Sequence, residues 1–325
     1  MQNMDALADV AVRQQSQIRS GFVAVIGRPN VGKSTLLNQF LGQKIAITSD
    51  KPQTTRDQIL GIRTDENAQL IFLDTPGIHQ PRNKLGKHMV NVAEQTIISD
   101  ADLILWIVDA NSPPTSEDRL IAKKLNEIQQ AVELPKLLIG ANKCDAWQGG
   151  DIDARAAEYA ALIDEPAPSQ KLSSTPVFLL SAMNGDGADE LIASLTELLP
   201  PGPQFYPDEQ VTDRSMRFIV AETVREKALL LLRQEIPHSL AVVVTEWNER
   251  SAEMTHIAAT IYVERHSQKG IVLGGKGAMI REIGRAARPE IEELVGSQVY
   301  LELWVKVLPK WRRNENYLRR LGYKA

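Results

Sequence analysis

Cysteine is almost missing from this chain: Cys144 is the only one among 325 residues. A single thiol excludes an intramolecular disulfide framework and fits a reducing compartment such as the cytoplasm. Long apolar runs are missing as well. No stretch reaches the roughly eighteen consecutive apolar residues of a bilayer span. The N-terminus carries Asp5 and Asp9 rather than a basic start followed by an apolar run, so no secretory leader is expected. The five histidines (His79, His88, His238, His256, His266) are scattered without ligand spacing, which argues against a zinc site. Internal repeats and low-complexity tracts are also absent.

What is present has the composition of a folded domain pair, 43% hydrophobic and 24% charged. The net charge of -4 is unevenly spread. Residues 1–205 hold 18 basic and 25 acidic side chains, whereas residues 206–325 hold 19 and 16. From Arg265 to Ala325 the count is 13 basic against 6 acidic. A basic C-terminal part suits a polyanionic partner, although a solvated basic helix would give the same count.

Hydrophobic patterning predicts strands over Phe22–Ile26, Gln58–Ile62, Leu70–Leu73, Leu103–Val108, Lys136–Ala141 and Val177–Leu180. Helical patterns lie between them, at about Ser34–Leu41, Lys84–Ser99, Ser116–Gln130, Ile152–Ile163 and Gly187–Leu198. The alternation predicts an α/β doubly wound sheet over residues 20–199, after an N-terminal extension of residues 1–19. A Pro-rich segment at 200–210 breaks the pattern and is expected to act as an extended spacer. Residues 211–325 then read as a second, α+β domain. It is expected to run helix Asp213–Gln234, strands Ser239–Asn248 and His256–Glu264, a short helix, a glycine turn, a longer helix and strand Val299–Val307. Trp106 and Trp304, in apolar strands, are expected in the core.

The glycine loop Gly27-Arg28-Pro29-Asn30-Val31-Gly32-Lys33-Ser34 sits between a predicted strand and a predicted helix. In that context its N–H groups can wrap a phosphate chain, Lys33 can reach the β- and γ-phosphates, and the Ser34 hydroxyl can bind Mg²⁺, with Thr35 following on the helix. A phosphate loop alone does not choose the base. Asn142-Lys143-Cys144-Asp145 does, because the Asp145 carboxylate can accept from guanine N1–H and its exocyclic amine, both of which adenine lacks. Asn142 is expected to bridge the base region and the glycine loop, with the Lys143 stem over the ring. Ser181-Ala182-Met183 offers a third base contact through the Ala182 N–H.

Asp74-Thr75-Pro76-Gly77 closes a predicted strand, placing Asp74 for Mg²⁺ through water and the Gly77 N–H for the γ-phosphate. In Gln53-Thr54-Thr55-Arg56 one threonine should ligate Mg²⁺; Thr55 is preferred, but the sequence does not separate it from Thr54. Ile78 occupies the position where many GTPases carry a water-orienting glutamine. Slow hydrolysis is therefore expected, with a K⁺ ion held partly by the Asn30 oxygen as one substitute. The residues assigned to the chemistry are Lys33, Asn30, Thr55 and Gly77.

These motifs resemble the bacterial GTPases that have a hydrophobic residue in place of the catalytic glutamine. In the second half, Val272-Leu273-Gly274-Gly275-Lys276-Gly277 resembles the Gly-x-x-Gly turn of a type II KH domain. Together with Thr212-Asp213-Arg214-Ser215 and Leu301-Glu302-Leu303-Trp304-Val305-Lys306-Val307, this is similar to the Era family over about residues 18–324. The resemblance implies a P-loop GTPase domain followed by a type II KH domain, bound GTP or GDP with Mg²⁺, and a monomer. It also implies binding to small-subunit (16S) ribosomal RNA near its 3′ end, in assembly of the small ribosomal subunit. RNA would meet Gly274, Gly275, Lys276 and Gly277, apolar walls from Ile271, Val272, Ile280 and Ile283, and Arg281, Arg285 and Arg288. Trp311-Arg312-Arg313 and Arg319-Arg320 either extend that surface or form a solvated terminal helix. The resemblance also implies weak peripheral contact with the inner face of the cell membrane as an expectation ranked below RNA binding, because this sequence offers no anchor. The competing readings are a GTPase switch acting on a protein or membrane-surface partner and a kinase-like P-loop enzyme.

Overall fold

A computed structural model of the chain describes residues 18–81, 83–164, 175–234 and 236–323. Most of the expected N-terminal extension lies outside the described residues. The first strand, β1 (Ile18–Ile26), takes in the last two residues of that extension. It runs through Gly27–Gly32 into α1 (Lys33–Leu41). Then come β2 (Ile59–Asp65), β3 (Ala68–Asp74), α2 (Lys84–Gln95), β4 (Leu103–Asp109), α3 (Ser116–Gln129), β5 (Lys136–Asn142), α4 (Ile152–Asp164), β6 (Val177–Leu179) and α5 (Ala188–Leu198). The strand order is β2-β3-β1-β4-β5-β6. All these pairings are parallel except β2–β3. The runs of β3 and β4 read as continuous apolar stretches because helices cover both faces of the sheet. Local signals set the helix starts: the Asn83 side chain accepts from Gly86 N–H, and Thr115 and Asp118 form a reciprocal capping box. In such a sheet the loops at the carboxyl ends of the strands form the crevice, and β1, β3, β5 and β6 all deliver their motifs there.

The proline-rich segment is not a free spacer. Its two-residue strand β7 (Pro201–Gly202) pairs antiparallel with Ile18 and Arg19. The Phe205 ring packs on Phe22 at 5.2 Å, and the Gln69 side chain accepts from the N–H groups of Phe205 and Tyr206. Proline at these positions costs no ladder bond, because the segment lies along an end of the sheet rather than within it.

The second domain follows the expected order: α6 (Met216–Leu231), a short helix α7 (Ile236–Ser239), β8 (Ala241–Ser251), β9 (Met254–Val263), α8 (His266–Leu273), α9 (Ala278–Val295), β10 (Gln298–Val307) and α10 (Glu315–Arg320). Its sheet has the order β10-β9-β8, with β9–β10 parallel and β8–β9 antiparallel. Trp304 is 55% exposed, against expectation. It alternates with Val299, Leu301, Leu303 and Val305, which face the helices, so it lies on the uncovered face of an edge strand. Trp106 is fully buried, as expected. Trp311 is also fully buried; its indole N–H donates to the Ser239 carbonyl and it packs with Leu85, Met89 and Tyr323. It therefore belongs to the contact between the domains rather than to an RNA surface, and Arg312 is occupied by Glu264.

Candidate nucleotide site and nucleic-acid interface

The glycine loop and the residues 47–55 enclose a cavity of about 370 Å³ lined by Pro29, Asn30, Gly32, Lys33, Ser34, Thr35, Thr55, Gly77 and Lys143, among others. Gly32 has φ +100°, and a Cβ there would lie 2.2 Å from the Asn142 side-chain nitrogen. Only glycine lets the loop approach β5 this closely. Lys33 is nearly buried and donates to the carbonyls of Gly27 (3.2 Å) and Arg28 (2.9 Å). Burial pulls its pKa down to about 8, while the neighbouring Asp74 carboxylate pulls the other way.

Ser34 Oγ donates to Asp74 Oδ2 at 2.7 Å and lies 2.8 Å from Thr55 Oγ1. With the Ser34 proton given to Asp74, the Thr55 hydroxyl is the donor of the second bond. Among the described residues Asp74 Oδ1 has no hydrogen-bond partner although it is buried. Burial raises the Asp74 carboxyl to about 6, against the lowering by Lys33 and the Ser34 hydrogen bond. Two hydroxyls and a carboxylate with a spare buried oxygen form a set of hard oxygen donors that fits Mg²⁺. Thr54 is turned elsewhere: its hydroxyl donates to the Lys51 carbonyl at 2.6 Å. The structure thus brings Thr55, not Thr54, to Ser34 and Asp74.

Not every predicted residue faces the cavity with its side chain. The Arg28 side chain turns away to Asp109 (3.5 Å), Asp118 (3.3 Å) and the Ser112 hydroxyl (3.1 Å), leaving its backbone N–H as the group the loop can offer a phosphate. Val31 sits in the core, and the Thr75 hydroxyl donates to the Val25 carbonyl; both support the loops from behind. Ile78 is fully buried, and its N–H donates to the Gly27 carbonyl, so the position of the missing glutamine is packed into the core.

At the base end, Asn142 Nδ2 donates to the Val31 carbonyl (2.7 Å) and its Oδ1 accepts from the Ala182 N–H (2.8 Å). Asn142 therefore ties the glycine loop to Ser181-Ala182, and in this structure the Ala182 N–H points to Asn142 rather than to a base. Asp145 is exposed, and Met183 stands 76% exposed in the Ser181–Met183 loop. Lys143 has φ +69°; its amine pairs with Asp109 at 2.8 Å and its carbonyl accepts from Asn111. Asp109 and Asn111 were not anticipated. They lie at the end of β4 without a motif of their own, and only the β4–β5 pairing brings them to Lys143.

In the second domain, Gly274, Gly275, Lys276 and Gly277 form the turn between α8 and α9. Gly274 has φ +69°, and a Cβ there would lie 2.7 Å from the Met279 N. Ile280, Arg281, Gly284, Arg285 and Arg288 of α9 line one side of a groove of about 400 Å³, with Leu301 and Leu303 of β10 on the other. The three arginines recur at helical spacing on one exposed face. Ile271 is 52% exposed, but Val272 and Ile283 are fully buried. Those two belong to the domain core and are removed from the proposed groove wall, because α8 and α9 turn them onto the sheet.

Comparison with known proteins decides the family. A family model described as 50S ribosome-binding GTPase matches residues 22–143, and a KH domain model matches residues 235–312. The chain is 48% identical over 306 residues to GTPase Era of Carboxydothermus hydrogenoformans, covering 94% of this chain and 98% of that one. It belongs to the Era family of GTPases. GTPase Era of Ruminiclostridium cellulolyticum is 47% identical, again over 94% of this chain and 98% of its own length. Among solved structures, Era in complex with MgGDPNP and nucleotides 1506–1542 of 16S ribosomal RNA superposes with a TM-score of 0.84 at 39% identity, covering 95% of this chain and all of that one. A variant Era from Aquifex aeolicus bound to GDP and AlF₄⁻ gives 0.83 at 40% identity, with 95% and 100% coverage. The fold is a P-loop GTPase domain joined to a KH domain, and the Era family hydrolyses GTP with Mg²⁺.

Proposed function

We propose that this chain is a GTP-hydrolysing switch that binds the 3′ region of small-subunit ribosomal RNA through its KH domain and acts in assembly of the small subunit. The observation that carries the reading is the conjunction of two sites in one chain. A guanine-selective phosphate loop stands at one end of the β1–β6 sheet, and a basic, apolar-floored groove lies between α9 and β10. The related Era structure holds 16S ribosomal RNA. A Gly-x-x-Gly turn beside a basic groove suits about four unstacked nucleotides, with backbone phosphates near Lys276 and Arg281 and bases over Ile280 and Leu303.

In hydrolysis, water attacks the γ-phosphorus in line with the leaving β–γ bridging oxygen. The Ser34 and Thr55 hydroxyls, with Asp74 through water, would hold Mg²⁺, which would supply charge neutralisation on the phosphate oxygens. Lys33 exchanges its two carbonyl partners for β- and γ-phosphate oxygens, whose negative charge favours its protonated form. The Gly77 N–H meets the γ-phosphate. Asn30 gives its amide nitrogen to the Asp50 carbonyl at 2.7 Å, so its oxygen is the end left for a K⁺ ion beside the β–γ bridge. Equal rates in K⁺ and Na⁺ would refute that cation site. With Ile78 buried, no side chain at that position orients the water, and unassisted turnover is slow.

We place the working protein in the cytoplasm as a monomer alongside the ribosomal subunit. Among the described residues no helix is long and apolar enough to cross a membrane. Co-sedimentation with small ribosomal subunits in GTP and in GDP tests the function. GTP-dependent pelleting is the expected result; absence from the subunit fraction in both nucleotides overturns it.

A further inference from the structure

The segment that carries Thr55 is held from the other domain. Thr54 and Arg56, its neighbours on either side, both reach across. The Thr54 carbonyl accepts a hydrogen bond from the Arg225 guanidinium on α6. The Arg56 guanidinium enters the second domain, donating to the Leu240 carbonyl at 2.7 Å and the Tyr323 hydroxyl at 3.3 Å, and lies 5.7 Å over the Trp311 ring. Arg225 is aimed by Glu222, one turn back on α6, which accepts from it twice. The next residue, Glu226, accepts from the Thr48 N–H (2.8 Å) and from Lys44 (2.5 Å). The loop that walls the phosphate cavity is thus gripped by α6 at Thr48 and Thr54, with Arg56 anchoring its end in the second domain, while Lys44 pairs with α6 outside the cavity lining.

These contacts are poor candidates for simple adhesive. Arg225 and Arg56 are 1% and 3% exposed, and among the described residues Arg225 Nη1 and Arg56 Nε have no hydrogen-bond partner. Burying two guanidinium groups with incomplete partners is costly, and apolar residues of similar volume would hold two domains together as well or better. What the arrangement does provide is direction. A planar guanidinium fixed by a carboxylate fork holds the second N–H of its Nη2 in one direction, here toward the carbonyl that precedes Thr55. A ligand hydroxyl displaced by about 1 Å loses much of its value to a reaction centre, so holding the peptides on both sides of Thr55 matters to the chemistry.

We propose that Arg225 is a positioning residue for GTP hydrolysis. From the RNA-binding domain it holds the Thr54 carbonyl and, with Arg56 anchored on the far side, fixes the backbone from which Thr55 presents its hydroxyl to Mg²⁺. The proposal rests on the reading of Thr55 as a Mg²⁺ ligand. A threonine of this loop serves the triphosphate state, so the diphosphate state is indifferent to the clamp.

The test titrates Mg²⁺ against GTP hydrolysis by the full chain, with GDP affinity measured in parallel. Arg225→Ala is expected to raise the Mg²⁺ needed for half-maximal turnover about tenfold and to lower kcat, the size of one lost charged hydrogen bond, with GDP affinity unchanged. Arg225→Lys, which keeps a donor but not the fork, falls between. Lys44→Ala removes a link across the same interface without touching residues 54–56, and its Mg²⁺ requirement stays that of the wild type. Wild-type Mg²⁺ dependence in Arg225→Ala, or an equal shift in Lys44→Ala, overturns the proposal. If Arg225→Ala does not bind GDP and so is not folded, Glu222→Gln carries the test, with a smaller shift expected in the same direction and no shift overturning it. Thr55→Ala separates the two readings: if it leaves the Mg²⁺ requirement unchanged, the ligand assignment has failed, whereas a shift there without one in Arg225→Ala fails the clamp alone.

Discussion

On the proposed reading, base choice turns on Asp145. Its carboxylate is exposed and matches the two donors of guanine, so Asp145→Asn should lose GTP affinity and gain affinity for xanthosine triphosphate, whose edge offers the complementary pattern. Competition binding with the two nucleotides checks this, and an unchanged GTP preference refutes the role. Ser34→Ala removes a hydroxyl that bonds Asp74 and faces Thr55, and should cost about tenfold in Mg²⁺-dependent triphosphate binding. The buried pair Lys33 and Asp74 gives a pH signature in the nucleotide-free protein. The Asp74 pKa is raised from 3.8 to about 6, so the folded state binds the proton more tightly than the unfolded state. Stability attributable to Asp74 is present below the lower value and falls as pH rises from about 4 to about 6, on the order of 3 kcal/mol for this fully buried group. Asp74→Asn should flatten that part of the stability curve measured by chemical denaturation. The Lys33 shift, from 10.5 to about 8, has the opposite slope: stability rises with pH between those values as the unfolded chain keeps its proton longer.

At the scale of elements, the turn Gly274–Gly277 and helix α9 act as one unit. Lys276 is exposed at the tip with φ +51°, and Arg281, Arg285 and Arg288 follow along the groove. Lys276→Glu should weaken binding to single-stranded ribosomal RNA about tenfold or more and lower the salt dependence by about one counterion. Filter binding at several salt concentrations measures both, and equal binding by variant and wild type would sink the RNA assignment of this turn. Most elements were legible in the sequence, because β3, β4 and β5 are continuous apolar runs and α3 carries its own capping box. Two were misjudged for a shared reason. Trp304 was placed in the core and Pro201–Gly202 in an extended spacer without a sheet partner, yet whether a strand is an edge, or a coil lies along a sheet, depends on neighbours distant in the chain. Val272 and Ile283 were assigned to the RNA wall on their apolar character, which serves a core equally well.

At the scale of the whole molecule, the two domains share an apolar cluster in which Leu85 and Met89 of α2 pack with Ala241, Trp311, Leu318 and Tyr323. Trp311→Ala should cost roughly 3–5 kcal/mol and split the thermal unfolding into two transitions, because it removes the largest side chain of that contact. Calorimetry of the full chain reads both effects. The same contact holds Arg56, so the loop over the phosphates and the C-terminal turn of the chain depend on each other's placement.

The sequence by itself determined the chemistry of the nucleotide end. Phosphate wrapping needs consecutive residues of one loop, and base reading needs a carboxylate at a fixed step after a strand, so both leave a local signature in Gly27–Ser34 and Asn142–Asp145. It also set the order of the main helices and strands in both domains, though not the short elements at Pro201–Gly202 and Ile236–Ser239. Tertiary structure alone decided that Thr55 rather than Thr54 meets Ser34, that Asp109 and Asn111 hold Lys143, and that Arg225 grips Thr54 from 171 residues away. These depend on single side chains brought together by strand pairing and domain docking. A lone arginine on a helix leaves no periodicity or spacing to announce its partner.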